Sequence, residues 1–228
     1  MYGQFRDRAL YLPQRDALVV ADLHVGRDAT SPVELSLGER ADLTERLSVL
    51  LEAFDPETVV FAGDVLHAFD RVPAGVEETL RGLRAVVEES GAELVVVEGN
   101  HDSMLDGVGI TARESCSLGG GTVVVHGHER VEMEADCYVV GHDHPTIEIE
   151  GTRRPCLLYG PGAYRGADVL MLPAFNRLAP GVVVNRMSGR DFQSPLVNRV
   201  GEFCPVVWDS ERSEMLSFPP LGKFRKML

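Results

Sequence analysis

Residues 93–104, ELVVVEGNHDSM, decide how the chain is read. Leu94 to Val97 forms a short apolar run of the kind that becomes a buried strand. It stops at Gly99-Asn100-His101-Asp102, residues that add little to a core but can bind a metal or move a proton. Upstream, residues 76–90 read as a helix closed by Gly91 at the C-cap position. Thr58 to Ala62 reads as another buried strand. Before it, residues 40–54 carry leucines at 43, 47, 50 and 51 on one helical face, and Asp55-Pro56 ends that helix. Ser36 with Glu39 forms a capping box ahead of it. Ala9 to Leu12 and Ala17 to Ala21 read as strands paired across Pro13 to Asp16. The order strand, helix, strand, helix, strand predicts a parallel sheet with crossover helices.

Beyond Gly107 the pattern changes. Short β segments separated by glycines follow at 122–127, 137–142, 146–151, 156–160, 181–185 and 204–209. The second half is therefore expected to be mainly β and to pack as a second sheet on the first. The basic tail, LGKFRKML, reads as a solvated end, and Arg153 and Arg154 as a solvated turn.

Composition narrows the function. At 228 residues with 44% apolar content, one domain over 1–228 is expected. No apolar run reaches the roughly 18 residues of a membrane span, and the N-terminus lacks a signal-peptide layout, so a cytoplasmic protein without membrane contact is expected. Cys116, Cys137, Cys156 and Cys204 are scattered and read as reduced, mostly buried thiols. The net charge is −13, and only Lys223 and Lys226 stand beside twenty arginines. That balance resembles proteins of salt-loving archaea. It also excludes a polyanion binder that works by bulk charge.

All seven histidines lie at or just after predicted strand ends. Ala17 to Ala21 ends in Asp22-Leu23-His24, Thr58 to Ala62 in Gly63-Asp64 with His67 following, and Val95 to Val97 in Asn100-His101. Val123 to Val125 ends in His126-Gly127-His128, and Val139-Val140 in Gly141-His142-Asp143-His144. Loops at the carboxyl ends of strands in an open α/β sheet converge on one crevice, so these clusters should meet. Residues i and i+2 of an extended segment point the same way, which lets Asp-x-His or His-x-His grip one ion and turns Asp143 towards solvent. Asp22, His24, Asp64, Asn100, His126, His142 and His144 supply carboxylate, amide and imidazole donors without a thiolate. That set suits manganese, with iron or zinc as alternatives, better than calcium. Seven donors match two bridged ions, about 3.5–4 Å apart.

Asp-x-His, Gly-Asp-x-x-His, Gly-Asn-His-Asp, His-Gly and Gly-His-x-His, in that order, resemble the calcineurin-like metallophosphoesterase superfamily. Residues 63–69, GDVLHAF, and the segments at 21–30 and 170–185 resemble its archaeal single-domain branch related to the SbcD/Mre11 nucleases, with bacterial relatives associated with DNA ligase and helicase. The resemblance implies a four-layer α/β/β/α sandwich with two packed mixed sheets. It implies that Asp22, His24, Asp64 and His144 hold one ion and Asp64, Asn100, His126 and His142 the other, with Asp64 bridging. His101 is the implied non-ligand catalytic histidine, Asp102 the carboxylate that orients its ring, and His67 a second histidine near the phosphate. The expected function is hydrolysis of phosphodiester bonds by water activated between two divalent metals. The expected substrates are nucleic-acid ends or nucleotides, and a DNA-repair helicase or ligase is the expected partner. The alternatives are a phosphomonoesterase and a non-catalytic scaffold. His128 reads as a loop residue beside a ligand, Arg27 as a solvated loop residue, and Asn176 and Arg177 as part of an irregular segment with room to fold back towards the site.

Overall fold

The computed structural model describes residues 2–28 and 38–226. Strands β1 (Gln4–Arg6), β2 (Ala9–Leu12) and β3 (Ala17–Val20) form an antiparallel meander. Helix α1 (Glu39–Phe54) lies between β3 and β4 (Thr58–Ala62), and helix α2 (Val76–Ser90) between β4 and β5 (Glu93–Val97). β3, β4 and β5 are parallel neighbours, and the five strands run in the order β1-β2-β3-β4-β5. Leu43, Leu47, Leu50 and Leu51 are the buried face of α1, as their spacing predicts. The helix starts differently. Gly38, in the left-handed region, precedes it, and no side chain caps it. Ser36 lies outside the described residues. The Glu39 carboxylate accepts the backbone N–H groups of Gly26 at 2.8 Å and Arg27 at 3.1 Å instead of reaching back to its own helix end.

The second sheet contains β6 (Cys116–Gly119), β7 (Thr122–Val124), β8 (Cys137–Val140), β9 (Pro145–Ile149), β10 (Thr152–Tyr164), β11 (Ala167–Met171), β12 (Val182–Val183), β13 (Cys204–Asp209) and β14 (Glu214–Ser217). Its main path is β12-β9-β10-β11-β8-β7-β6, with β13 on β10 and β14 on β13. β7, β8 and β11 are parallel, and the sheet is otherwise mostly antiparallel. Arg153 and Arg154 are not in a turn. They sit in β10 opposite Glu148 and Ile147, because hydrogen bonding to β9 extends the strand back to Thr152. The valine run after Gly181 gives only two strand residues before a 3-10 turn.

Three apolar cores stack through the molecule. The first fills the space between the first sheet and α1 and α2. The second, with Val19, Val60, Val97, Val139, Leu157 and Leu170, lies between the sheets. The third covers the outer face of the second sheet with Phe192, Leu196, Phe203, Leu221 and Phe224. That outer layer consists of 3-10 turns, irregular chain and one turn of helix, α3 (Leu221–Phe224). The start of the basic tail is therefore core, since Leu221 and Phe224 are buried. Among the described residues, no helix is long and apolar enough to cross a membrane.

Candidate metal centre

The parallel register brings the histidine-bearing strand ends together. Val20 pairs with Phe61 and Ala62 with Val97, so the chain leaves β3, β4 and β5 at one level. The pairing continues past the strands: Asp22 N–H donates to the Gly63 carbonyl at 3.0 Å and His24 N–H to the Asp64 carbonyl at 2.9 Å. β7 and β8 end on the same rim, where Gly141 N–H donates to the His126 carbonyl at 3.0 Å. Two glycines let these loops touch. A Cβ on Gly99 would collide with the backbone and carboxylate of Asp64. One on Gly141 would stand 2.5 Å from Asp22 Oδ2.

Two compact Asp/His donor sets result, beside an all-histidine group of His24, His67 and His101. Asp22, His24 and His144 form one, and Asp64, His126 and His142 the other, with ligand atoms within 4.8 Å of one another in each. Asp22, His24, Asp64, His142 and His144 all have positive φ, between 43° and 75°. Non-glycine residues rarely adopt this conformation, and such strain concentrates at functional sites. Asp22 and His24 share a set, as alternation predicts, but His142 and His144 do not, because these segments are left-handed turns rather than extended strand.

The hydrogen-bond pattern fixes one ring. His126 Nδ1–H donates to the Ala62 carbonyl at 3.1 Å. Its Nε2 then faces Asn100 Oδ1 at 3.2 Å, Asp64 Oδ1 at 3.3 Å and His142 Nδ1 at 3.2 Å. In the other set, His24 Nε2 and His144 Nε2 stand 3.2 Å apart, with Asp22 Oδ1 also 3.2 Å from His144 Nε2. Lone pairs facing lone pairs repel unless a cation lies among them, either a proton or a metal ion. This crowding, the buried His24 Nδ1 without a hydrogen-bond partner and the oxygen–nitrogen donor mixture fit divalent metals.

The electrostatics agree. Burial pushes the Asp22 carboxyl up, but His144, His126 and His24 more than offset this and hold it low. Asp64 is likewise held low by His126 and His101 against the effect of burial. Burial lowers His24 to about 4, so it stays a neutral donor. His126 moves the other way: burial opposes its charge, but Asp64 and Asp22 raise it to about 9.

The remaining predicted residues divide. His101 lies beside the second set. Its Nδ1–H donates to the His67 carbonyl at 2.7 Å, and its Nε2 stands 3.7 Å from Asp64 Oδ2. The His67 ring runs parallel to His101, with centroids 6.2 Å apart and planes at 11°. Asp102 does not orient the His101 ring. Its carboxylate turns inward and accepts the backbone N–H groups of Gly99 at 2.8 Å, Leu66 at 2.9 Å and Val65 at 3.2 Å. Burial nevertheless raises it to about 6, against those three bonds. Asp143 does point away from both sets, but not into solvent. It is buried and accepts Gln193 N–H at 2.8 Å and Ser194 N–H at 3.0 Å. Strand alternation gives a direction; the 192–196 segment supplies a cover. His128 lies behind His126, ring centroids 5.2 Å apart. It opens on a groove of about 790 Å³ that also touches Asn100, Glu98, Glu129 and Met133.

The irregular segment carrying Asn176 does fold back to the site, and it supports the first set from beneath, a role its sequence did not reveal. Asn176 is buried, and its Nδ2 donates to the carbonyls of Leu23 at 2.8 Å and His24 at 3.3 Å and to Glu39 Oε1 at 2.8 Å. Its one signal is an amide directly after an apolar stretch, Met171 to Phe175. Arg27, just beyond this support, donates from Nε to the Leu178 carbonyl at 3.1 Å.

Residues 17–130, half of the chain, match the profile of the family described as Calcineurin-like phosphoesterase. Among solved structures, the chain resembles the crystal structure of Pseudomonas putida nuclease MPE. The TM-score is 0.61 at 24% identity, over 93% of this chain and 91% of that one. Looser likenesses are Yfce, a phosphoesterase from E. coli (TM-score 0.44, 16% identity, 90% and 98% covered), and a dimetal phosphatase from Danio rerio (0.41, 11%, 89% and 98%). No curated protein sequence matches the chain.

Proposed function

The chain belongs to the calcineurin-like phosphoesterase family, and we propose that it is a two-metal phosphodiesterase acting on nucleotides or nucleic-acid ends. One observation carries this reading. Two Asp/His sets, each with two buried members and one half-buried histidine, share a rim, and the half-buried His101 stands beside them. In this reading Asp22, His24, Asp64 and His144 hold one ion. Asp64, Asn100, His126 and His142 hold the other, and Asp64 serves both. Divalent ions bound there draw charge from a phosphate and make water a competent nucleophile near neutral pH.

The chain's own contribution is position and a proton. His101 Nδ1 is fixed by the His67 carbonyl, so Nε2 is the atom that faces the reaction. As water oxygen bonds to phosphorus, the phosphorus–oxygen bond to the leaving group breaks. In the imidazolium form, with Nδ1–H held by the His67 carbonyl, His101 Nε2–H delivers the proton that the departing oxygen takes up, while the attacking water gives its own proton to solvent. His67 offers a second imidazole on the same side. Asp102 keeps the loops before both histidines in place rather than tuning a ring. Manganese is the metal we propose, from the mixed oxygen and imidazole donors. Placement in the archaeal nuclease-related branch, with a helicase or ligase partner, is part of the same proposal and rests on residues 63–69.

The test compares manganese-dependent hydrolysis of bis-p-nitrophenyl phosphate with that of p-nitrophenyl phosphate at high salt. Preference for the diester is expected. Preference for the monoester would make the protein a phosphatase, and no hydrolysis of either would leave a scaffold.

A further inference from the structure

Phe69 is 53% exposed, whereas Phe5, Phe61, Phe175, Phe192, Phe203 and Phe224 are buried and Phe54 and Phe218 half-buried. A single exposed aromatic is ordinary. Its position here is not. The ring stacks on His101, with centroids 3.7 Å apart and planes at 29°. The segment carrying it is clamped to the histidine loop at two points. Ser103 Oγ donates to the Phe69 carbonyl at 2.9 Å, and His101 Nδ1 donates to the His67 carbonyl. One face of the ring is therefore covered by the imidazole that faces the reaction, while about half of the residue stays exposed to solvent.

The charge around the site bears on what can use that surface. The neighbouring groove is lined by Glu98, Glu114, Glu129 and Glu132 against Arg130 and the histidines His126 and His128. The whole chain carries −13. A run of phosphates is repelled by such a surface, so bulk charge supplies little of any nucleic-acid affinity. Stacking of a base on an aromatic ring needs no positive charge, and every base has a π-face to offer.

We propose that Phe69 is a stacking platform for the nucleobase attached to the scissile phosphate. It restricts substrates to nucleotides and unpaired ends, because a base inside a duplex already has both faces covered. This rests on the phosphodiesterase reading above and extends it to a substrate class.

The experiment measures kcat/KM in manganese for thymidine 5′-p-nitrophenyl phosphate and for methyl p-nitrophenyl phosphate. It uses the wild-type chain, Phe69→Ala and Phe69→Trp. The ratio of the two values isolates the base, since any disturbance of His101 lowers both esters together. Phe69→Ala should reduce that ratio about 5- to 150-fold, the range for losing one stacked base, mainly through KM. Phe69→Trp should keep it. An unchanged ratio in Phe69→Ala overturns the proposal, even where both rates fall. If the wild-type chain hydrolyses neither ester, the phosphodiesterase reading fails, and stacking is judged by binding alone. Fluorescence anisotropy of labelled pentathymidylate, without metal, should then show a similar weakening in Phe69→Ala. Equal affinity in the two proteins overturns the platform.

Discussion

The backbone N–H of His142 donates to both carboxylate oxygens of Asp22, at 3.2 and 3.0 Å. A carboxylate from the rim of the first sheet is thus held by the rim of the second, at 0% exposure. The site is a seam between sheets: His144 joins Asp22 and His24, and His126 and His142 join Asp64, while the all-histidine group of His24, His67 and His101 comes from the first sheet's rim alone.

Removing a carboxylate from this seam should empty it. Asp64→Ala is expected to weaken metal binding by more than about 100-fold, the upper range for losing an outer partner of a metal site. Metal content by plasma mass spectrometry after dialysis reads this directly. A variant that retains two ions per chain would remove Asp64 from the ligand set.

His101 should separate from the ligands. His101→Ala is expected to keep its metal while kcat falls about 10²–10⁴-fold, the usual contribution of a positioned acid or base. Metal lost in parallel with activity would make His101 a ligand instead.

Asp102 should behave as a loop anchor. Asp102→Ala leaves three buried N–H groups without an acceptor, each costing about 1–3 kcal/mol if unsatisfied. We expect a lower urea midpoint, with Asp102→Asn less affected because its amide oxygen still accepts. If both variants unfold with the wild type while the pH profile of kcat moves, Asp102 acts on the histidine ring after all.

Asn176 tests the support beneath Asp22 and His24. Asn176→Ala should lower the melting temperature and weaken metal binding about 10- to 100-fold, as loss of an outer partner does. Asn176→Asp should be worse near neutral pH, because it would set a second carboxylate against Glu39, now 2.8 Å from Nδ2. Wild-type melting and metal affinity in both variants would exclude this role.

Strands β2 to β5, helices α1 and α2 and the rim where the histidines meet were legible in the residues alone, whereas β1 was not. Apolar runs such as Val59–Ala62 and Val95–Val97 admit one local structure, and a polar group placed directly after each has nowhere to go but the strand end. Asp55 and Gly91 ended their helices as read, because cap chemistry is local. β11, a strand that the spacing did not announce, depends on pairing with β8 and β10. The tertiary structure alone decided what each polar atom faces. Asp102, Asp143 and Glu39 all bind backbone N–H groups of segments distant in the chain. Asn176 reaches Leu23 across 153 residues. Such bonds depend on how the two sheets and their loops close on each other. A side chain's direction follows from its neighbours in sequence, but its partner is set by whichever backbone the packing brings within about 3 Å.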